Sequence, residues 1–221
     1  MRHYIIAILA IAAAIAFAAC GTTSDLTRSG QYPKMYEEKP TVLLVMPPIN
    51  NTNNVNAKEY LYTSISRPLI EAGYYVISPH LAMDLLKAES AYDSELFLES
   101  KLTPFKNVFG CDAVIFSVID EWRKAGFSIK TKIRYTIKSA HTGETLFDRT
   151  CNLTLDLQSS TNNGINLLAS VINTVLTEEI EAARRANYFI FTDIPLGKYS
   201  PDFGLDGDRK ASPAEIDAYV K

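Results

Sequence analysis

The strongest constraint on the fold is an alternating segment near the middle of the chain. Its apolar positions are Phe127, Ile129, Ile133, Tyr135 and Ile137, and its polar positions include Lys130, Lys132, Arg134 and Lys138. A period of two over this length predicts a β-strand with one face in the core and the other in water. A tight turn at residues 141–143 then predicts an antiparallel partner strand over residues 147–157.

Three apolar runs without alternation predict buried strands. They cover residues 41–48, 74–78 and 112–122. Helical spacing follows the first of them, where Pro68 predicts a kink. Short helices are expected from Pro79 and Ser94, and a long helix from Gly164 to about Asn187. The order β-α-β-α-α-β-β-β-α predicts an α/β (α+β) fold with a mixed sheet of about five strands covered by helices.

The N-terminus has the composition of an export signal. Residues 4–17 consist almost entirely of Ile, Leu and Ala, carry no charge and follow Arg2. This run is shorter than the about 20 apolar residues that cross a membrane as a helix, so it predicts a signal peptide over residues 1–19. An uncleaved membrane span and an ordinary secretory signal are the alternatives.

The end of that segment, Phe17-Ala18-Ala19-Cys20, resembles the bacterial lipobox. The resemblance implies cleavage before Cys20 and lipidation of its thiol, although Phe17 stands where Leu is usual. Several acyl chains make a firm membrane anchor. Gly21 is not the Asp that commonly retains such proteins in the inner membrane, so we expect an outer-membrane protein that faces the periplasm.

The remaining chain divides by composition. Residues 20–40 are polar and lack helical or strand periodicity, which predicts a tether between the lipid and the fold. Residues 41–190 are expected to form a single globular domain. Residues 191–221 are rich in Pro, Gly and Asp, which predicts an irregular tail with a short helix over residues 213–220.

Charge and cysteine content exclude several classes of protein. The formal net charge is −3, so neither nucleic-acid binding nor electrostatic attachment to anionic lipid is expected. Besides Cys20, the chain contains Cys111 and Cys151. The predicted strand order places these two too far apart for a disulfide, so we expect two buried free thiols.

No catalytic or metal-binding motif is found in the sequence. His80 and His141 stand in no HExxH pattern and near no cysteine at ligand spacing. The Asp206-Gly207-Asp208 sequence fails the calcium-loop template at its later positions. Glu178, Glu179 and Glu181 are expected to be solvated. We therefore predict no enzyme, cofactor or metal site.

Two segments are candidates for binding a partner protein. Pro47, Pro48 and Asn50 follow the first strand, at the end of the sheet where binding surfaces gather. Tyr199 and Phe203 lie in the irregular tail, where no predicted helix or strand needs their aromatic side chains for its packing. Packing of the tail onto the domain is the alternative to a protein-binding role.

Several segments together resemble a known family. They are the lipobox, the tether, VLLVMPPINNT, AGYYVISP, GCDAVIFSVIDEW, AARRAN and GKYSPDFG. This pattern is similar to that of a bacterial outer-membrane lipoprotein family of unknown function that contains a meningococcal vaccine-candidate antigen. The resemblance implies a fold like the TolB N-terminal domain, a link to CsgG-like secretion components, and homodimers. It carries over no site residue except Cys20.

Three functions are consistent with the sequence. The first is an accessory protein in secretion or envelope assembly that acts through protein contacts. The second is a regulator of a cell-wall synthase, against which the length of the tether argues, since 20 residues span at most ~70 Å. The third is an envelope hydrolase with a carboxylate pair that the sequence does not identify.

Overall fold

The computed structural model describes residues 26–157 and 169–220. The predicted signal peptide, Cys20 and the predicted helix start at Gly164 lie outside these ranges. The helices are α1 (Arg28–Gln31), α2 (Pro33–Glu38), α3 (Ala57–Ser64), α4 (Ser66–Glu71), α5 (Pro79–Ala88), a 3₁₀ turn (Ser94–Phe97), α6 (Thr103–Phe109) and α7 (Ala169–Phe191). The strands are β1 (Val42–Val45), β2 (Ile49–Asn50), β3 (Tyr75–Val76), β4 (Ala113–Ala125), β5 (Ser128–Ser139), β6 (Thr145–Asp156) and β7 (Glu215–Val220).

These strands form one mixed sheet in the order β3-β1-β4-β5-β6-β7, and β2 pairs with β4 beyond the end of β1. β3, β1 and β4 are parallel, the β4-β5-β6 meander is antiparallel, and β7 runs parallel to β6. The predicted mixed sheet is confirmed, with seven strands instead of about five. Below, the entry end of the sheet is the end where β1, β3, β4, β6 and β7 begin, and the exit end is the opposite one.

Both faces of the sheet are covered by helices, but not equally. α3, α4 and α7 pack on one face, where Leu61, Leu69 and Ile190 meet Ile115, Ile133 and Cys151. α5 and α6 cover only the first part of β1 and β4 on the other face, through Leu86 and Phe105. The rest of that second face presents polar side chains such as Lys132 and Arg134 to water.

Period two correctly predicts the meander, with one error. Ile129, Ile133, Tyr135 and Ile137 are buried, whereas Phe127 is exposed. Phe127 belongs to the turn before β5, next to Gly126 with φ +61°, so the strand alternation does not apply to it. The predicted kink at Pro68 is also confirmed. α3 ends at Ser64 and α4 begins at Ser66, because Pro68 has no N–H to donate to the carbonyl of Ser64.

The two cysteines lie on opposite faces of the sheet. Cys151 packs among the α7-side residues and Cys111 among the α5-side residues. Both are free thiols and have no exposed surface. Burial raises the pKa of Cys111 to about 11 and that of Cys151 to about 12, so neither is a thiolate at neutral pH.

The terminal segments differ from the sequence prediction. The end of the predicted tether forms α1 and α2, in which Met35 is buried, so ordered structure begins well before residue 41. The helix predicted over residues 213–220 is wrong, because this segment is β7. Ile216, Ala218 and Val220 alternate with exposed residues along it, and this period of two fits a strand on the sheet edge.

Candidate partner-binding surfaces

A buried arginine joins the two ends of the chain. Arg149 on β6 has no exposed surface, and its Nη2 and Nε donate to Tyr32 Oη at 2.6 and 3.1 Å. Its Nη1 donates to the backbone oxygen of Ile190 at 2.9 Å and to Oδ1 of Asp193. The other Asp193 oxygen accepts the backbone N–H of Ser212. One guanidinium therefore holds the N-terminal segment, the end of α7 and the tail.

The surroundings of this ion pair favour the charged form of Asp193. Burial raises the pKa of Asp193, but the hydrogen bonds and charge of Arg149 and the N–H of Ser212 outweigh burial and lower it below its usual value. The Tyr32 and Phe147 ring centroids lie 5.5 and 5.0 Å from Arg149 Cζ. These cation–π contacts favour arginine over lysine here.

A second buried carboxylate ties α1 to the tail. Oδ2 of Asp206 accepts from Arg28 Nη1 at 3.1 Å and from the backbone N–H of Leu196 at 3.0 Å. The main chain adds a hydrogen bond from Ser29 N–H to the oxygen of Gly207, at 3.0 Å. Asp206 is thus a structural residue of the tail. We name Arg149, Asp193, Arg28 and Asp206 the terminal clasp.

The tail also lies directly against the main chain that precedes β3. Gly197 N–H donates to the oxygen of Ala72 at 2.8 Å, and Tyr199 N–H donates to Gly73 at 2.9 Å. A Cβ on Gly73 would come within 2.4 Å of the backbone nitrogen of Ser200, and one on Gly197 within 2.5 Å of Gly73 oxygen. Only glycine fits at both positions.

The structure separates the two predicted binding segments. Pro47 and Pro48 are buried and Asn50 is half-buried. The Asn50 side chain is used within its own loop, donating to Asn54 oxygen at 2.8 Å and accepting from Thr52 Oγ1 at 2.7 Å.

Tyr199 and Phe203 lie at the entry end, beside the N-terminal segment. Tyr199 is exposed, and Phe203 is half-buried near Tyr36 and Lys39. The two predicted segments therefore do not form one site. The tail packs onto the domain through Phe203, and it also exposes the ring of Tyr199.

A surface that the sequence prediction missed lies on the α5 side of the sheet. Leu81 and Leu85 occupy the outer face of α5 and are 68% and 38% exposed. Tyr92 lies just before the 3₁₀ turn and Leu96 lies within it, and they are 54% and 64% exposed. We name these four residues the α5 surface. A sequence signal existed, because Leu81 and Leu85 are spaced i, i+4 while Ala82 and Leu86 occupy the buried face.

A groove of about 560 Å³ runs between α4 and α7. Its carboxylates, Glu71 and Glu181, are paired with arginines on their own helices. Arg67 Nε lies 2.8 Å from Glu71 Oε1, and Arg185 Nε lies 2.6 Å from Glu181 Oε1. The groove is therefore lined by exposed ion pairs. Neither carboxylate is buried away from water, as a general acid would need to be.

The remaining chemical candidates have structural partners or are solvated. His141 Nδ1 lies 2.8 Å from Lys106 Nζ, and His80 is exposed. Within residues 26–157 and 169–220, no group of three or more His, Cys, Asp and Glu side chains is arranged to hold a metal ion. Nor does this part of the chain include a helix long and apolar enough to span a membrane.

Comparison with known proteins agrees with the architecture. The family model described as "Putative lipoprotein GNA1162-like" matches residues 30–191. The "Putative lipoprotein NMB1124/NMB1162" of Neisseria meningitidis serogroup B is 24% identical over 198 residues, which cover 88% of this chain and 90% of that protein. The crystal structure of lipoprotein GNA1162 from Neisseria meningitidis superposes with a TM-score of 0.50 and 20% identity, covering 65% of this chain and 99% of that one. The chain therefore belongs to the GNA1162-like family of lipoproteins.

Proposed function

We propose that the protein is a non-enzymatic lipoprotein, anchored through Cys20 to the outer membrane and facing the periplasm, that serves secretion or envelope assembly through protein contacts. The observation that carries this proposal is the α5 surface. Four large apolar side chains are exposed within a stretch of sixteen residues, from Leu81 to Leu96, on the α5 side of the sheet. Clustered exposed apolar residues of this kind are typical of protein–protein interaction sites.

The terminal clasp supports a role close to the membrane. Leu26, the first described residue, is six positions after Cys20, and six extended residues span at most ~20 Å. The predicted tether of 20 residues would reach ~70 Å. A domain held this close to the bilayer is suited to work with membrane components, for which a CsgG-like secretion protein is our first candidate. The short reach disfavours a regulator of a distant cell-wall synthase.

Site-specific photocrosslinking in intact envelopes tests the proposal. A photoreactive residue is placed at Leu85 of the α5 surface and, as a matched control, at Val55, an apolar residue that is 81% exposed in the loop before α3. Both versions are made with the natural Cys20 and with Cys20→Ser. We expect a discrete outer-membrane partner from position 85 only, and its loss in the Cys20→Ser chain. Identical crosslink patterns from positions 85 and 55 would contradict the proposal.

A further inference from the structure

A second group of exposed apolar side chains includes Leu26, the first residue that the structure describes. Leu26, Tyr199 and Leu205 are 50%, 66% and 76% exposed. Phe203 lies between the last two in sequence and is half-buried. We name these four residues the terminal surface. Its members belong to the two segments that the terminal clasp joins, and Tyr199 and Phe203 lie at the entry end of the sheet.

Short contacts bring these segments together. Leu26 oxygen accepts the backbone N–H of Ala211 at 2.8 Å. Leu205 directly precedes Asp206, whose carboxylate is 3.1 Å from Arg28 Nη1. Phe203 lines a small cavity together with Lys39, next to α2.

The position of the predicted lipid restricts what the terminal surface can face. This step rests on the proposed anchoring through Cys20. Because Leu26 is six residues from Cys20, the lipid holds this end of the domain within ~20 Å of the bilayer. The loop that carries Val55, by contrast, follows β2 toward the exit end of the sheet.

The chemistry of the terminal surface suits the interfacial zone of a bilayer. Tyrosine places an apolar ring and a polar hydroxyl at the depth of the headgroups. Lys39 and Lys198 are exposed next to Phe203 and Tyr199, and their long stems can lie along apolar surface while their ammonium groups stay near lipid phosphates. Gly73, Gly197 and Asp206 fix the tail backbone, so contact with lipid would require little additional ordering.

We propose that the terminal surface lies in the headgroup layer of the membrane to which Cys20 is anchored. The domain then has a defined orientation, with the entry end of its sheet on the lipid and the exit end turned away. The occupant is the phospholipid surface itself. The lipid on Cys20 supplies the affinity, while Leu26, Tyr199, Phe203 and Leu205 supply the orientation.

Tryptophan substitution with quenching by lipid-borne bromine tests this orientation. The mature lipidated protein is reconstituted into phosphatidylethanolamine/phosphatidylglycerol vesicles with and without brominated acyl chains. Leu205→Trp reports on the terminal surface, and Val55→Trp is the matched control at an exposed apolar position. The natural protein has one tryptophan, Trp122, which is buried, and its emission is subtracted as background.

We expect the emission added by Leu205→Trp to shift to the blue and to be largely lost with brominated lipid. The emission added by Val55→Trp should not change. Equal emission with and without bromine at position 205, in protein that floats with the vesicles, would overturn the orientation and leave the anchor intact. Protein that fails to float with the vesicles would refute the Cys20 anchor, and with it the proposal.

Discussion

The two exposed apolar surfaces rest on different kinds of support. Two residues of the α5 surface, Leu81 and Leu85, stand on a regular helix, which Ala82 and Leu86 hold to the sheet on its buried side. The terminal surface stands on irregular chain, held by two buried ion pairs and by main-chain contacts at Gly73 and Gly197. The comparison shows that a segment without helix or strand periodicity can still be fixed against the domain, because its polar groups have buried hydrogen-bond partners.

The largest effect is expected from removing the arginine of the terminal clasp. Arg149→Met leaves the Asp193 carboxylate buried without its charge partner, and breaking a buried pair in this way costs about 3–5 kcal/mol. Urea unfolding of the Cys20→Ser chain measures the loss. The matched control is Arg134→Met on the exposed face of β5, for which we expect a change within about 0.5 kcal/mol. Similar values for the two variants would show that the terminal clasp does not stabilise the fold.

The glycine contact between the tail and the segment before β3 comes next. Gly73→Ala combines a left-handed backbone, φ +91°, with a Cβ only 2.4 Å from Ser200 nitrogen, and we expect a loss of about 2–3 kcal/mol. Gly126→Ala is the control, since Gly126 has φ +61° but open space around it, and it should cost about 1 kcal/mol. Limited proteolysis should cut the tail faster in Gly73→Ala only. Equal stability and equal cleavage of the two variants would contradict the close packing.

Acid should weaken the terminal clasp in a defined direction. Because the folded-state pKa of Asp193 is lowered, its contribution to stability is complete above the unfolded-state pKa of about 3.9 and is lost as pH falls through the folded-state value. The free energy of unfolding of the natural chain should therefore fall toward that of Arg149→Met below about pH 4. A difference between the two that is constant from pH 7 to pH 3 would contradict this linkage.

The smallest effect on stability is expected at the α5 surface. Leu81→Ser and Leu96→Ser remove exposed side chains, so each should change the free energy of unfolding by no more than about 0.5 kcal/mol. Leu86→Ala, on the same helix as Leu81 but fully buried, should cost about 2–5 kcal/mol. The serine variants should nevertheless lose the photocrosslinked partner. Retention of the partner by both would remove the α5 surface as its binding site.

The sequence predicts best those elements in which buried and exposed residues follow one another at a regular spacing. β5 was identified because one face is buried along its whole length, so its residues alternate. α6 was not predicted, since Thr103–Phe109 is too short for its period to stand out. The helix expected over residues 213–220 is instead β7, and the alternation of Ile216, Ala218 and Val220 is a sequence signal for that strand.

The terminal clasp depends on pairs that are far apart in sequence. One local signal was present, because Arg149 stands between Phe147 and Cys151 on the inward side of β6, where a charge needs a buried partner. Its partner Asp193 is 44 residues away, and no local pattern connects the two. The α5 surface was missed for a different reason. Its outward leucines contribute to the same apolar run as the buried ones.

We propose that the lipid on Cys20 and the terminal clasp together keep the domain at the membrane surface. Neutron reflectometry of the mature lipidated protein on a supported phospholipid bilayer measures this directly, as the thickness of water between the headgroups and the protein layer. We expect protein density that begins at the headgroups, with no resolved water layer beneath it. A hydrated gap approaching the ~70 Å reach of a free 20-residue tether would contradict it.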